Sequence, residues 1–137
     1  MYNAARYFKS KYFVRISADS PLIDSSVIDR GISILNKNKN YDLITNIHPR
    51  SFPKGQSVEI LKTSTLGKIL NKLNKSEKEH VTKYMYRNSS DFIIKSFGFN
   101  GKNKKFKLSI DTKKDLNKIL KNIKKKDFEN FSIKNEY

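Results

Sequence analysis

Residues 13–24 read FVRISADSPLID, and this stretch decides the fold. It opens with a run of mainly apolar and β-branched residues, which is typical of a buried strand. Residues 18–20 interrupt the apolar run, and Pro21 cannot continue a helix or a hydrogen-bonded ladder. Asp24 or Ser25 can then cap a helix by accepting hydrogen bonds from its first N–H groups. The pattern therefore predicts a strand, a tight polar turn and a helix.

This arrangement puts the carboxylate of Asp19 just after the carboxyl end of a strand. In open α/β sheets, ligands bind outside that end of the strands. A single aspartate in such a turn more often serves only as a turn residue or a cap. The local pattern alone leaves both interpretations open.

Composition excludes several classes of site. The chain has 137 residues, the size of one domain, and it contains no cysteine for a disulfide, a thiol nucleophile or a zinc site. His48 and His80 are too few for a histidine-rich metal site. No apolar run approaches the roughly 18 residues of a membrane span, and the first residues lack the apolar core of a signal peptide. We expect a cytoplasmic protein without a membrane partner.

The chain is strongly basic, with 29 Lys+Arg against 13 Asp+Glu and a formal charge of +16. Such a charge suits a polyanion partner, and a basic nucleic-acid-binding protein is one alternative. The excess is nevertheless spread along the chain and is mostly lysine, whereas arginine is the side chain suited to bidentate phosphate recognition. No recognition helix or RNA-binding motif is visible. We therefore expect no nucleic-acid partner.

Apolar periodicity and turn residues predict the remaining elements. They are helices over residues 2–10, 25–35 and 64–73, a helix opened by a capping box at Ser76 and Glu79, strands over residues 41–47, 58–61, 91–99 and 106–110, and a last helix capped by Thr112 and Asp115. The strand that begins at Phe13, the helix over residues 25–35 and the strand over residues 41–47 predict a parallel β-α-β unit with a right-handed connection. The last two strands predict a hairpin. The fold expected is α/β with a mainly parallel sheet.

Four segments resemble, in order, motifs of the cytidylyltransferases that activate acidic sugars, closest to the branch named for spore coat polysaccharide biosynthesis. VRISADSPLID is similar to the family's VRITxDCPLID, and RSFPKGQSVEI, from Arg50, to R-x-[FY]-P-x-G-L-D-V-E-V. EKEHVTKYMYRN, from Glu77, is similar to R-E-H-V-T-P-Y-I-Y-x-N, and SIDTKKDLNKI, from Ser109, to T-V-D-T-P-E-D-L-x-x-I. The clearest departures are Gln56 and Ser57, where the family has Leu and Asp.

The resemblance implies a reaction in which CTP and an acidic sugar give a CMP-sugar and pyrophosphate, in surface polysaccharide biosynthesis. It implies Mg²⁺ as the cofactor, with Asp19 and Asp111 as its carboxylates, and it requires no nucleophile from the enzyme. The substrate-binding residues it points to are Arg50, Glu59, His80, Tyr84 and Arg87. The last three are spaced to share one helix face as a polar wall for an anionic sugar. An ordinary helix surface with a half-buried histidine explains the same spacing equally well.

The resemblance covers residues 2–123 and leaves residues 124–137 as a basic tail. It implies a nucleotide-diphospho-sugar-transferase-like, Rossmann-like domain. The family begins with a strand and a nucleotide loop of the form A-R-x-G-S-x-R-L-P-x-K, which no segment here resembles. We therefore expect residues 1–123 to be the C-terminal part of such a domain, incomplete alone, with a homo-oligomer or a separate N-terminal half as partner. A metal-dependent glycosyltransferase of related fold and a non-enzymatic remnant or subunit remain as alternatives, so whether the chain is an enzyme stays open.

Overall fold

The computed structural model describes residues 1–99 and 107–124. Its elements are, in chain order, α1 (Tyr2–Tyr7), β1 (Tyr12–Arg15), α2 (Ser25–Lys37), β2 (Leu43–Thr45), β3 (Glu59–Lys62), α3 (Thr63–Ile69) with a 3-10 turn (Leu70–Lys72), α4 (Lys75–Glu79), α5 (Val81–Arg87) with a 3-10 turn (Ser89–Asp91), β4 (Ile94–Ser96) and α6 (Lys113–Lys124). Within these described ranges, no helix is long and apolar enough to cross a bilayer.

The four strands form one sheet in the order β1-β3-β2-β4. β3 runs antiparallel to both β1 and β2, while β4 runs parallel to β2. The α/β class is confirmed, but the sheet is mixed rather than mainly parallel, because β3 inserts between the first two strands. β1 and β2 still run in the same direction, as the β-α-β pattern predicts, without being neighbours.

The central strands build a core on each face of the sheet. Leu43 pairs with Leu61 and Ile44 with Ile60 across β2 and β3, and successive residues point to opposite faces. Ile44 and Ile60 pack in the cluster that includes Val27 of α2. Leu43 and Leu61 pack in the other cluster, with residues of α3 and α5. Each such side chain contributes about 1.5–3 kcal/mol through burial, so helices on both faces hold the sheet.

Helix α2 begins where the sequence predicts. The Asp24 carboxylate accepts hydrogen bonds from the Ser26 amide (2.8 Å) and hydroxyl (2.7 Å), which confirms the cap. Near the middle of the helix, Gly31 is buried, whereas the neighbouring Ile32 is 36% exposed. A Cβ at Gly31 would come 3.0 Å from the Ile60 side chain, so glycine allows the helix to lie close to β3.

The capping box predicted at Ser76 and Glu79 is wrong by two residues. Asn74 accepts a hydrogen bond from the Glu77 amide (2.9 Å), and the Glu77 carboxylate accepts one from the Asn74 amide (3.0 Å). The helix that this box opens ends at Glu79, and a new helix begins at Val81. His80 separates the two, with φ −124° and ψ 70°, which are not helical.

The predicted hairpin is not formed by the described residues. Phe106 lies outside them, and Lys107 makes an isolated parallel bridge to Lys54 instead of pairing with β4. The amide of Leu108 donates to the Lys54 carbonyl (2.7 Å), so residues 107–110 bind the loop before β3. The cap of α6 is confirmed, because the Asp115 carboxylate accepts from the Thr112 amide (3.0 Å). Of the predicted basic tail, residues 125–137 lie outside the described part of the chain.

Candidate functional site

A cavity of about 300 Å³ lies beside the ends of β1 and β3. Its walls come from the turn after β1, the loop before β3, the junction between α4 and α5, and the segment that precedes α6. The volume is at the lower end of the range found for small-molecule sites. Four stretches that are distant in sequence therefore meet around one opening.

Gln56 fixes two of these walls to each other. Its side-chain oxygen accepts a hydrogen bond from the Asp24 amide (2.9 Å), and its side-chain nitrogen donates to the Leu22 carbonyl (2.7 Å). The residue is only 2% exposed, so both bonds are shielded from water. A leucine, the residue of the resembling family at this position, has no polar atoms with which to make them.

Gly55 allows the segment that precedes α6, the third wall of the cavity, to pack closely against the loop before β3. Its φ is +97°, a conformation that side chains other than glycine rarely adopt. A Cβ there would stand 2.6 Å from the Ser109 amide nitrogen, which leaves no room for a side chain. The segment from Lys107 to Asp111 therefore reaches the cavity only because position 55 is glycine.

The two predicted metal ligands, Asp19 and Asp111, both line this cavity. Their segments are joined by a hydrogen bond from the Ile110 amide to the Asp19 carbonyl (2.8 Å). The Asp19 carboxylate accepts a hydrogen bond from the Ser20 hydroxyl (2.9 Å). The structure thus brings together two carboxylates that are far apart in sequence.

Asp111 already has a cationic neighbour. The Lys107 ammonium lies 2.6 Å from the Asp111 carboxylate and 2.6 Å from that of Asp115. The hydrogen bond to Asp111, and after it the one to Asp115, raises the pKa of Lys107 above its ordinary value. The same lysine, followed by Thr112, lowers the pKa of Asp115 to about 2. A metal ion at Asp111 must share its carboxylate with this lysine or displace it.

The residues present fit the way in which proteins usually bind magnesium. Among the described residues, no group of three or more histidine or carboxylate side chains could enclose a metal ion. Magnesium is often held by only one or two carboxylates, with water and substrate phosphates as its remaining ligands. Asp19 and Asp111 can supply the two carboxylates of such a site. Their role as metal ligands stays a prediction.

Glu59 lines the cavity, but both oxygens of its carboxylate accept hydrogen bonds from neighbouring protein side chains. Arg15, its partner across β1 and β3, donates to one oxygen at 2.5 Å, and the Tyr86 hydroxyl donates to the other at 2.5 Å. Thr45 bonds the same hydroxyl at 2.8 Å. Burial, and after it the neighbouring Glu59 carboxylate, raises the pKa of Tyr86. The ring of His48 stacks on that of Tyr86, with centroids 4.5 Å apart.

Arg50 and His80 also line the cavity. Both terminal nitrogens of Arg50 donate to the Ser57 hydroxyl oxygen, each at 3.1 Å. His80 is half-buried, at the non-helical junction before α5. The cavity therefore joins these two predicted substrate-binding residues to Asp19 and Asp111.

Tyr84 and Arg87 do not line this cavity. The Tyr84 ring packs edge-on against Phe92, with centroids 6.2 Å apart, and the Arg87 guanidinium lies 5.6 Å from the Tyr84 ring. Arg87 also forms an ion pair with Glu77 at 2.8 Å. The predicted polar wall assumed one unbroken helix, whereas the break at His80 separates these two side chains from the histidine.

Sequence reasoning assigned no role to three side chains that shape this site. Arg15 and Lys54 line the cavity, and Tyr86 supports Glu59 from behind. A signal for Arg15 was present, because it is the single charged residue of an otherwise apolar and aromatic strand, β1. No comparable signal marks Lys54 in a chain so rich in lysine.

Two comparisons with known proteins, one with a family model and one with a solved structure, name the same family. A family model described as cytidylyltransferase matches residues 1–133. An uncharacterized protein of Methanocaldococcus jannaschii is 33% identical over 97% of this chain and 54% of its own length. The structure of a cytidylyltransferase from Leptospira borgpetersenii serovar Hardjo-bovis matches with a TM-score of 0.85 and 28% identity, over 90% of this chain and 53% of that one. The chain therefore spans about half the length of each of these relatives.

Proposed function

Because the chain belongs to the cytidylyltransferase family, we propose that its cavity serves the transfer of a cytidylyl group from CTP to an acidic sugar. An oxygen of the sugar attacks the α-phosphorus, the bond from that phosphorus to the β-phosphate bridge breaks, and pyrophosphate leaves. The sugar hydroxyl gives up its proton to the solvent. The product is a CMP-sugar for surface polysaccharide synthesis, made in the cytoplasm.

The observation that carries this proposal is that Asp19 and Asp111 line one cavity with Arg50 and His80. We assign to the two aspartates the binding of Mg²⁺, which would neutralise charge on the α-phosphate and the leaving pyrophosphate. Because phosphoryl-group chemistry depends mainly on positioning and charge stabilisation, no covalent intermediate with the protein is needed.

Arg50 and His80 supply the acceptor side of the proposed site. Arg50 can present paired N–H groups to a sugar carboxylate, and His80 can donate a hydrogen bond to a hydroxyl. Glu59 acts through its neighbours, since one of its oxygens holds Arg15 in the cavity wall and the other accepts a hydrogen bond from Tyr86 behind that wall. We assign no substrate contact to Tyr84 or Arg87, which face Phe92 and Glu77.

Binding to the 137-residue chain tests this function directly. Mn²⁺, as a paramagnetic substitute for Mg²⁺, should bind and broaden NMR signals of residues around the cavity. Asp19→Asn should weaken Mn²⁺ binding at least tenfold, because it removes a carboxylate ligand. The matched control is Asp29→Asn, at an exposed position on α2 outside the cavity, which should leave the affinity unchanged.

Substrate binding is the second part of the test. An acidic sugar should bind with saturation, and Arg50→Met should weaken that binding, whereas a neutral sugar of the same ring size should bind more weakly to the unsubstituted chain. Absence of acidic-sugar binding at millimolar concentration, or equal binding of the neutral sugar, would contradict the proposal and favour a non-enzymatic remnant. The family match itself favours nucleotidyl transfer over the glycosyltransferase alternative.

A further inference from the structure

Among the described residues, three Lys or Arg side chains and three carboxylates line the cavity, but not all of them are in ion pairs. Arg15 is neutralised by Glu59, at 2.5 Å, and Asp111 by Lys107, at 2.6 Å. Among the residues that the structure describes, Arg50 and Lys54 form no ion pair. Within the same part of the chain, the Asp19 carboxylate accepts a hydrogen bond only from the Ser20 hydroxyl. The described lining of the cavity thus offers two cations without an anion, Arg50 and Lys54, together with one carboxylate without a cation, Asp19.

Arg50 is oriented without being neutralised. Both of its terminal nitrogens donate to a single atom, the Ser57 hydroxyl oxygen, at 3.1 Å each. A guanidinium has five N–H donors, and a hydroxyl can still donate its own hydrogen while it accepts others. The pair can therefore direct several donors toward one oxyanion. Bidentate contact from arginine is the geometry that carboxylate and phosphate groups favour.

We infer that Ser57 is a specificity-determining residue, which keeps Arg50 available for an oxyanion of the ligand. The inference deepens the proposed function and rests on it. An aspartate at position 57, as in the resembling motif, would face the same two nitrogens and satisfy them with its own carboxylate. The neutral serine leaves that positive charge to the ligand. The cavity then selects ligands that carry a carboxylate or phosphate group beside the Asp19 carboxylate.

The experiment compares Ser57→Asp with Ser57→Asn, which have nearly the same size but differ in charge. Three probes are titrated at constant ionic strength: an acidic sugar, its neutral primary amide, and pyrophosphate with Mg²⁺. Ser57→Asp should weaken binding of an anionic probe at least tenfold and leave binding of the amide unchanged. Ser57→Asn should stay within about threefold of the unsubstituted chain for all probes, because it adds no charge. Thermal unfolding confirms that both variants are folded.

The two anionic probes separate the sources of the oxyanion. A selective loss for the acidic sugar identifies a carboxylate and supports both the inference and the proposed function. A selective loss for pyrophosphate identifies a phosphate and supports the inference, even where the acidic sugar does not bind and the proposed acceptor is wrong. If the two variants weaken every anionic probe equally, or if the unsubstituted chain binds neither anion, the inference is overturned.

Discussion

The ring of Phe52 meets the ring of Phe97 edge-on, with centroids 5.8 Å apart and planes at 74°. Phe52 also contacts Phe99, at 5.3 Å, and is 1% exposed, so it lies at the centre of one core. Phe52→Ala should lower the free energy of unfolding by about 3–5 kcal/mol, because the cavity left behind cannot fully collapse. Urea unfolding measures this loss. Phe8→Ala, at a ring that is 74% exposed, should change stability by less than about 0.5 kcal/mol.

Gly55→Ala should detach the segment before α6 from the loop that precedes β3. The new Cβ would stand 2.4 Å from the Leu108 carbonyl carbon, at a backbone with φ +97°. Strain of this kind costs about 1–3 kcal/mol before any clash is counted. Hydrogen exchange should show lost protection of the Leu108 amide, which donates to Lys54 in the native protein.

The matched control for that change is Gly98→Ala. Among the residues that the structure describes, a Cβ at Gly98 would meet only the Ser51 hydroxyl oxygen, at 3.4 Å, and the backbone there is not in the left-handed region. Protection of the Leu108 amide should therefore be unchanged in this variant. Equal loss of protection in both variants would show that close packing at Gly55 is not what holds the segment.

Tyr86 should stay protonated at a pH that ionises ordinary tyrosines. Its pKa lies above the ordinary value of 10.0, first because it is buried and then because Glu59 carries a negative charge beside it. The folded state therefore retains a proton that the unfolded chain loses. The contribution of Tyr86 to stability is complete below pH 10 and is lost as pH rises above it.

Absorbance near 295 nm checks this prediction, with circular dichroism to show that the chain remains folded. Between pH 9 and 11, the native chain and Tyr86→Phe should ionise the same number of tyrosines. The slope of stability against pH above pH 10 should be smaller in Tyr86→Phe. A signal lower by one full tyrosine in that variant would mean that Tyr86 titrates normally.

Lys107→Met should strengthen divalent-cation binding. The substitution removes an ammonium 2.6 Å from the Asp111 carboxylate, so the cation no longer competes with a neighbouring positive charge. We expect the Mn²⁺ affinity to rise by only about threefold to tenfold, because water screens the exposed pair of Lys107 and Asp111. Lys114→Met, at an exposed position on α6, removes the same charge from the chain and should have a smaller effect. Equal effects would point to net charge rather than to Asp111.

The sequence predicted helix caps correctly where the two residues that form the hydrogen bond lie within a few positions of each other. The caps at Asp24 and at Thr112 with Asp115 are of this kind, because each is a short-range hydrogen bond that the residue types announce. The break at His80 is different. No glycine or proline marks it, so no local breaker in the sequence predicts where the first of the two helices ends.

The sheet order and the site depend on long-range contacts. β3 lies between β1 and β2 and pairs with one of them along each edge, and no local pattern in the sequence specifies this position. Asp19 and Asp111 were identified through motif resemblance, and the fold explains their proximity by the Ile110 amide that donates to Asp19. Helical spacing predicted that Tyr84 shares a helix face with His80, and the structure differs because the helix of Tyr84 begins only at Val81.

The two hydrogen bonds of Gln56 also limit which insertions and deletions the chain can accept during evolution. One side chain joins the turn after β1, through Leu22 and Asp24, to the loop before β3. An insertion or deletion in either loop would move one end of that connection, leaving polar groups in the protein interior without partners. The two loops should therefore keep their lengths together. The exposed turn between α2 and β2, at residues 38–40, does not line the cavity, so these two bonds place no limit on its length.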